Sequence, residues 1–280
     1  MKPIMNWDVL QSIVRPPMSD KAPSEPNWDR VAPMYNRMAE MEQPYTYNQI
    51  NCLDTTPEDT VLDIGCGPGR ITCALAERVK SVTAVDIYPE MLNYCSANVA
   101  ARGLTNVNTR LLNWLDAEMD KNIERHDIVI ASRSVGMSNI RKLNAFAKKY
   151  AVLICWANAP NIPSILNELF SGTSTREDSE QQFIYHEDRR IGYNAVWNMV
   201  YDLGADPNIR IVTDGFTKDF NSYDEAYTWL RQLQQFDDTF LPVFKKNLEP
   251  YLTQKNDGMV TFRRETKTYV LWWQPVPLGD

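Results

Sequence analysis

The sequence predicts an α/β fold, with helices on both faces of a doubly wound, mostly parallel sheet of about seven strands. Strand-like and helical segments alternate from Thr60 to Trp156, and several strands, such as Tyr150–Trp156, are apolar throughout. Uninterrupted apolar strands are typical of a parallel sheet that is covered on both faces. One strand also runs directly into the glycine-rich turn Gly65–Gly69. A parallel sheet of this kind binds ligands beyond the carboxyl ends of its strands.

Periodicity places the individual elements. The predicted strands are Thr60–Ile64, Ser81–Asp86, Val107–Leu112, Asp127–Ala131, Tyr150–Trp156, one within Asn208–Phe220, and one or two within Met259–Trp273. The predicted helices between them are Ile71–Val79, Pro89–Arg102, Ile140–Lys148, Ile162–Phe170, Ile191–Leu203, Tyr223–Leu233 and Phe240–Leu252. A helical insertion over residues 221–254 therefore separates the last two strands, and we expect it to form a lid.

The first 56 residues are predicted to form an N-terminal helical arm and cap, and residues 57–280 the main domain. Apolar spacing predicts a short helix near Trp7, followed by a proline-rich arm. Two further helices are expected at about Asn27–Met41, where apolar side chains lie three or four residues apart on one face, and at about Tyr45–Leu53, which carries Ile50 and Leu53.

Composition limits the classes of function. The net charge of −7 over 280 residues argues against a general binder of nucleic acid or of membrane surfaces, which would need a basic face. The five cysteines show neither CxxC nor Cys/His spacing, so we predict no metal site and reduced thiols in the cytoplasm. No apolar run approaches the roughly 18 residues of a membrane span, and the first residues lack the apolar stretch of a signal peptide. The oligomeric state stays open, a homodimer included.

The segment Asp63-Ile64-Gly65-Cys66-Gly67-Pro68-Gly69 is the strongest functional signal. The third glycine of a dinucleotide-binding GxGxxG would fall at position 70, where Arg70 stands, and the Gly-Lys-Ser/Thr of a phosphate-binding loop is absent. Asp86 ends the next strand, where a carboxylate can accept hydrogen bonds from a ribose diol. Asp63 would repel a pyrophosphate but would favour a cationic amino group. The pattern therefore indicates a cationic, ribose-bearing cofactor.

These residues resemble motifs I and II of the class I S-adenosylmethionine-dependent methyltransferases, in the small-molecule branch that includes ubiquinone and menaquinone methyltransferases. The resemblance implies the Rossmann-like methyltransferase fold, S-adenosylmethionine as cofactor and S-adenosylhomocysteine as product. It also implies a set of cofactor-binding residues: Tyr35, Asp63, Gly65, Cys66, Gly67, Gly69, Asp86, Ile87, Met91, Asn113, Trp114 and Ser132. Asn113 departs from the family, which often has an acid at this point.

The sequence predicts less about the methyl acceptor. We expect a small molecule, because the Asn-Pro-Pro-aromatic signature of many amino-methylating enzymes is replaced by Ser132-Arg133-Ser134. Arg133 and Tyr193 are the candidate catalytic residues, and Trp156 and Asn158 are further candidates to face the acceptor. A histidine-driven O-methylation is less favoured, because neither histidine lies near a motif and His126 is expected at the surface; whether a general base is used stays open. Two alternatives stay open, a non-catalytic protein that binds S-adenosylmethionine and, less favoured, a nicotinamide oxidoreductase.

Overall fold

The computed structural model describes residue 6 and residues 28–173 and 192–278. The helix predicted near Trp7 lies outside these residues. The strands are β1 Thr60–Ile64, β2 Ser81–Asp86, β3 Val107–Leu111, β4 His126–Ser132, β5 Ala147–Trp156, β6 Asn208–Phe220, β7 Leu252–Gln254 and β8 Val260–Trp273. The helices are α1 Trp28–Ile50, α2 Arg70–Ala76, α3 Pro89–Ala101, α4 Ile140–Phe146, α5 Ile162–Leu169, α6 Gly192–Asp202, α7 Tyr223–Leu230 and α8 Leu241–Leu248.

The strands form one sheet in the order β3-β2-β1-β4-β5-β8-β6, with the short β7 beside β8. The first five strands of this order are parallel, and β8 is antiparallel to both of its long neighbours. Successive residues of the central strands are buried in separate cores on opposite faces, as Val129 and Ile128 illustrate. The predicted doubly wound, mostly parallel fold is confirmed.

Helix α1 differs from the prediction because it is a single helix of 23 residues, although Pro33 and Pro44 lie inside it. Both prolines are on the exposed side, so water can reach the backbone carbonyls that lose their N–H partners. The opposite side is buried from Met38 to Ile50. The prediction of two helices was wrong because packing of this buried side outweighs the local effect of proline.

The last two long strands form a ribbon that extends past the parallel sheet. Only residues 268–273 of β8 pair with β5, whereas β8 pairs with β6 along nearly its whole length. The remainder reaches beyond Trp156 at the carboxyl end of β5, and β8 is one strand with no turn at Arg264–Thr266. With α5, α7, α8 and part of α1, this ribbon encloses a further core around Phe216, Phe220, Phe244 and Phe262, which we call the lobe core.

The predicted insertion follows β6 and contains α7, α8 and the three-residue strand β7. Helix α1 joins the lobe to the sheet, because Met38 and Met41 lie in the lobe core and Ile50 in a core of the sheet. The separation of residues 1–56 as a unit of its own stays a prediction. Within the part of the chain that the structure describes, no helix is long and apolar enough to cross a bilayer.

Candidate cofactor site and active site

The glycine turn joins β1 to α2 at the carboxyl edge of the sheet. Gly65, Gly67 and Gly69 have φ angles of 66°, 53° and 85°, a region that side chains with a Cβ rarely adopt. A Cβ on Gly65 would lie 2.5 Å from the Cβ of Ser134, so the neighbouring loop excludes any side chain there. A Cβ on Gly67 would meet no described atom within 4 Å. Gly67 therefore leaves open space in which a ligand can approach the backbone.

The N–H groups of this turn are occupied by the protein itself. Those of Gly65 and Cys66 both donate to the carbonyl of Val85, over 2.8 and 3.1 Å. That of Gly67 donates to Asp86 over 2.9 Å. The turn consequently presents carbonyl oxygens and bare Cα atoms, which suit a cationic amino group better than a phosphate.

Asp86 is buried at the end of β2 and is held by two backbone donors. Oδ2 accepts from the N–H of Gly67, and Oδ1 accepts from that of Tyr88 over 3.0 Å. Burial raises the pKa of the Asp86 carboxyl, and these backbone donors oppose that shift. Each carboxylate oxygen can accept a second hydrogen bond. The group is therefore fixed in position and still able to accept bonds from two ribose hydroxyls.

Asp63 is fully buried on β1, and the hydroxyl of Thr72 donates to it over 2.6 Å. Burial raises the pKa of Asp63 to about 6, although the Thr72 hydrogen bond and the charge of Arg70 act in the opposite direction. A buried carboxylate without a bonded cation favours a nearby positive charge. Asp63 thus has the electrostatic character that the amino group of the cofactor requires.

Apolar side chains lie exposed on both sides of the glycine turn. Ile87 follows β2, Leu115 follows β3 and Val135 follows β4, with exposed fractions of 46%, 62% and 46%. The carboxyl ends of these parallel strands lie at one edge of the sheet, so an adenine ring could cover the three side chains there. Sequence reasoning named Ile87 but missed Leu115 and Val135. Together with Gly67, Asp86 and Asp63, these residues fit S-adenosylmethionine.

Three residues that were predicted to bind the cofactor have other surroundings. Trp114 is 2% exposed in a sheet core, with its ring edge-to-face against Phe146, so the structure does not support an adenine contact. The side-chain oxygen of Asn113 accepts from the N–H of Leu115 and caps a short 3₁₀ turn. Met91 lies on the buried side of α3 and adds no accessible surface to the wall near Ile87. Residue spacing in the sequence could not predict the burial and the contacts of these three side chains.

Two further residues predicted to bind the cofactor are Tyr35, which is half-buried, and Cys66, which is buried. Tyr35 on α1 packs edge-to-face on Trp28, whose ring is 6.4 Å from that of Tyr88 after β2. The aromatic start of α1 therefore lies beside the strand end that carries Asp86. Cys66 is buried within the turn. The pKa of the Cys66 thiol is raised by the neighbouring Cys95 thiol and by burial. A role of Tyr35 or Cys66 in cofactor binding stays a prediction.

A cluster of four charged side chains lies behind the turn, and we call it the ion cluster: Glu42, Arg70, Arg133 and Asp214. Arg70 Nε lies 3.3 Å from Glu42 Oε2, and Arg133 Nη1 lies 2.6 Å from Glu42 Oε1. Arg133 Nη2 reaches Asp214 Oδ2 over 2.6 Å. The cluster therefore connects α1, α2, the end of β4 and the lobe strand β6.

Polar neighbours complete the bonding of the ion cluster. Arg70 donates to Gln49 and to Ser132, and Asp214 accepts from Gln49 and Thr268. Burial alone would raise the pKa of Asp214, but Arg133 and Arg70 hold it below its ordinary value. Burial raises the pKa of Glu42, although the charges of the same two arginines act to lower it. A buried acid at this position calls for cationic partners, because unpaired charges are costly away from water.

The sequence contained a signal for this cluster that went unused. Glu42 follows Met38 by four residues on α1 and so falls on its apolar side, where an acid needs a buried cation. The partners Arg133 and Asp214 could not be identified from spacing, since they lie 91 and 172 residues farther along the chain.

Arg133, a candidate catalytic residue, belongs to this cluster. Its backbone is left-handed, with φ of 52°, and its guanidinium carbon lies 3.3 Å from the ring centre of Trp156. Its Nε has no hydrogen-bond partner among the described residues. The guanidinium therefore points towards α1 and β6, where it binds Glu42 and Asp214. A contact between Arg133 and the acceptor stays a prediction.

The remaining acceptor-side candidates lie around the end of β5. The ring of Tyr193, on the first turn of α6, packs on Tyr269 at 5.7 Å. A Cβ on Gly192 would lie 2.7 Å from Oδ1 of Asn158, so the start of α6 adjoins the loop after β5. Tyr193, Trp156 and Asn158 are thus near one another in the fold, and their contact with an acceptor stays a prediction.

His126 is not a surface residue. It is buried at the start of β4, where Nε2 lies 2.9 Å from the hydroxyl of Thr83 and Nδ1 lies 2.9 Å from the carbonyl of Glu124. Burial lowers its pKa. Since β4 starts at the edge opposite the glycine turn, His126 takes no part in the site. The other histidine, His186, lies outside the described residues.

The chain matches known methyltransferases over part of its length. Residues 55–184 match a family described as "Methyltransferase domain". A "Probable cobalt-precorrin-6B C(15)-methyltransferase (decarboxylating)" from Methanobrevibacter smithii is 38% identical over 79 residues, which are 28% of this chain and 42% of that protein. A "Nocamycin O-methyltransferase" from Saccharothrix syringae is 32% identical over 131 residues, 45% of either protein. The chain thus spans less than half the length of these relatives.

Among solved structures, the fold is similar to that of a precorrin 8w decarboxylase from Methanobacterium thermoautotrophicum. The identity is 16% and the TM-score 0.48, with 82% of this chain and 89% of that chain covered. The matched residues 55–184 contain the glycine turn, Asp63 and Asp86. The match to the methyltransferase domain family covers residues 55–184, which is just under half of the chain.

Proposed function

We propose that this protein transfers the methyl group of S-adenosylmethionine to a small-molecule acceptor. The observation that carries the proposal is the glycine turn with its two acids. Gly67 leaves open space, Asp86 is fixed by two backbone N–H groups, and Asp63 is a buried acid with no bonded cation among the described residues.

The chain's own residues would bind and orient the cofactor. Asp86 would accept hydrogen bonds from the ribose hydroxyls, and Ile87, Leu115 and Val135 would pack against adenine. Asp63 and the carbonyls of the turn would favour the amino group of the methionine end. Bound S-adenosylmethionine supplies a methyl group on a positively charged sulfur, which is already a good leaving group. Alignment and exclusion of water can then account for much of the catalysis.

The acceptor would lie between the carboxyl edge of the sheet and the lobe. The ribbon of β6 and β8 reaches past the end of β5, and α1 joins it to the sheet, so the lobe and α1 overhang this edge. An acceptor site covered by the lobe would suit a small molecule, and the net charge of −7 disfavours a nucleic acid. The relatives do not fix the acceptor, because their names include a cobalt-precorrin, nocamycin and 23S rRNA uracil.

Calorimetry and a methyl-transfer assay test the proposal in sequence. S-adenosylhomocysteine should bind and raise the melting temperature, whereas NAD should do neither, since a ligand of the native state stabilises it. Isotopically labelled S-adenosylmethionine should then label small molecules of a cell extract. Stabilisation by NAD and not by S-adenosylhomocysteine would contradict the proposal. Binding without transfer to any fraction would favour the non-catalytic alternative.

A further inference from the structure

We propose that Glu42 and Asp214 set the charge of this site, so that it accepts the positively charged S-adenosylmethionine as readily as the neutral S-adenosylhomocysteine. This inference rests on the proposed function. The ion cluster would then affect which form of the cofactor binds, in addition to connecting elements of the fold.

The two arginines of the cluster belong to the loops that surround the cofactor site. Arg70 directly follows Gly69, and Arg133 directly follows Ser132 at the end of β4. Arg70 Nη2 donates to the hydroxyl of Ser132 over 3.2 Å, so its guanidinium lies between the two loops. Residues 61–64 of β1 pair with residues 128–131 of β4, which places both loops at the same edge of the sheet. Two positive charges therefore lie beside the turn that is expected to hold a cationic ligand.

Water screens these two charges poorly, and the acids compensate them instead. The side chains of Arg70 and Arg133 are 9% and 15% exposed, while those of Glu42 and Asp214 are 3% and 0% exposed. Two guanidinium groups and two carboxylates give the cluster no net charge. Removal of one acid would leave a net positive charge in a region of low dielectric, where charge interactions are strong.

The two forms of the cofactor differ in charge at one atom. S-adenosylmethionine carries a sulfonium and S-adenosylhomocysteine a neutral sulfide, while both have the same adenosine and the same amino acid end. An uncompensated positive charge in the cluster would thus weaken the binding of S-adenosylmethionine alone. Damage to the shared parts of the site would weaken the binding of both.

Isothermal titration calorimetry of both ligands tests the inference. In Glu42→Gln and in Asp214→Asn, the ratio of the Kd for S-adenosylmethionine to that for S-adenosylhomocysteine should rise about tenfold, the effect of one unit charge about 12 Å from the sulfonium at an effective dielectric of about 20. In Arg133→Gln, which removes a positive charge, the ratio should fall. The opposite signs separate electrostatics from structural damage, because all three variants break the same cluster.

Asp59→Asn is the matched control. Asp59 is buried and bonded to Lys149 over 2.9 Å, but it precedes β1 at the opposite edge of the sheet, so the ratio should not change. Sinefungin, which carries an amine in place of the sulfonium, should follow S-adenosylmethionine in every variant.

Circular dichroism identifies which variants fold. In each folded variant, the test is whether the ratio of the two Kd values rises or falls. An unchanged ratio in the folded variants, or a change of the same sign in Glu42→Gln and Arg133→Gln, would overturn the inference. A wild-type protein that binds neither ligand would instead contradict the proposed function.

Discussion

The carboxyl edge of the sheet holds two pairs of buried acids whose partners differ. Asp63 and Asp86, beside the glycine turn, accept hydrogen bonds from a hydroxyl and from backbone N–H groups. Glu42 and Asp214, in the ion cluster, are bonded to guanidinium groups. The first pair has no cationic partner among the described residues, so its negative charge could attract a ligand. The charge of the second pair is compensated by the two arginines. The nature of the partners, more than the burial of an acid, therefore indicates whether it can bind a cation.

The largest expected effect concerns the second pair. Glu42→Ala leaves two largely buried arginines without their shared partner and should lower the free energy of unfolding by about 3–5 kcal/mol. Urea denaturation followed by circular dichroism measures this. Glu40→Ala removes an exposed acid of the same helix that pairs with Lys218, and it should cost less than about 1 kcal/mol. Equal losses in the two variants would show that the buried cluster does not hold α1.

The next effect concerns the first pair. Asp86→Ala removes the acceptor that is fixed for the ribose and should weaken S-adenosylhomocysteine binding about 10- to 100-fold, as expected for the loss of charge-assisted hydrogen bonds. Calorimetry measures the affinity. Asp127→Asn provides the comparison, because Asp127 also accepts from a backbone N–H and a hydroxyl, those of Thr60, but at the opposite edge. A similar loss of affinity in Asp127→Asn would refute the assignment of Asp86.

The smallest effect is a pH dependence from Asp63. The pKa of this carboxyl is raised to about 6, so it is mostly protonated at pH 5 and mostly ionised at pH 7. A cationic amino group binds the ionised form better, so S-adenosylhomocysteine affinity should rise with pH by up to about tenfold over this interval. Titrations at several pH values should show the rise in the wild type and its absence in Asp63→Asn. A flat profile in the wild type would contradict a role of Asp63 in binding the amino group.

The same shift affects the unliganded protein in the opposite direction. Because the folded-state pKa of Asp63 lies above its ordinary value of 3.8, the native state binds the proton more tightly than the unfolded state. Its contribution to stability is therefore lost as pH rises from about 4 through about 6. Above that range, Asp63→Asn should be more stable than the wild type in the absence of ligand, and thermal denaturation can measure the difference.

The sequence by itself determined the parallel sheet, the glycine turn and the two acids beside it. Apolar runs fix strands that are covered on both faces, and glycine at 65 and 67 fixes a turn that other residues rarely adopt. These features depend on neighbours close in the chain, so spacing reveals them. For the same reason the sequence placed Ile87 and Asp86 at one strand end, where the structure finds them.

Only the tertiary structure decided which side chains meet across the fold. Trp114 packs on Phe146 and lies in a sheet core, while its neighbour Leu115 is exposed at the strand ends, a difference that adjacent positions in a sequence cannot show. Helix α1 continues through two prolines because its far side is buried against the sheet and the lobe. Arg133 turns towards Glu42 and Asp214, which are distant in the chain, because buried charges must find opposite charges wherever the fold brings them.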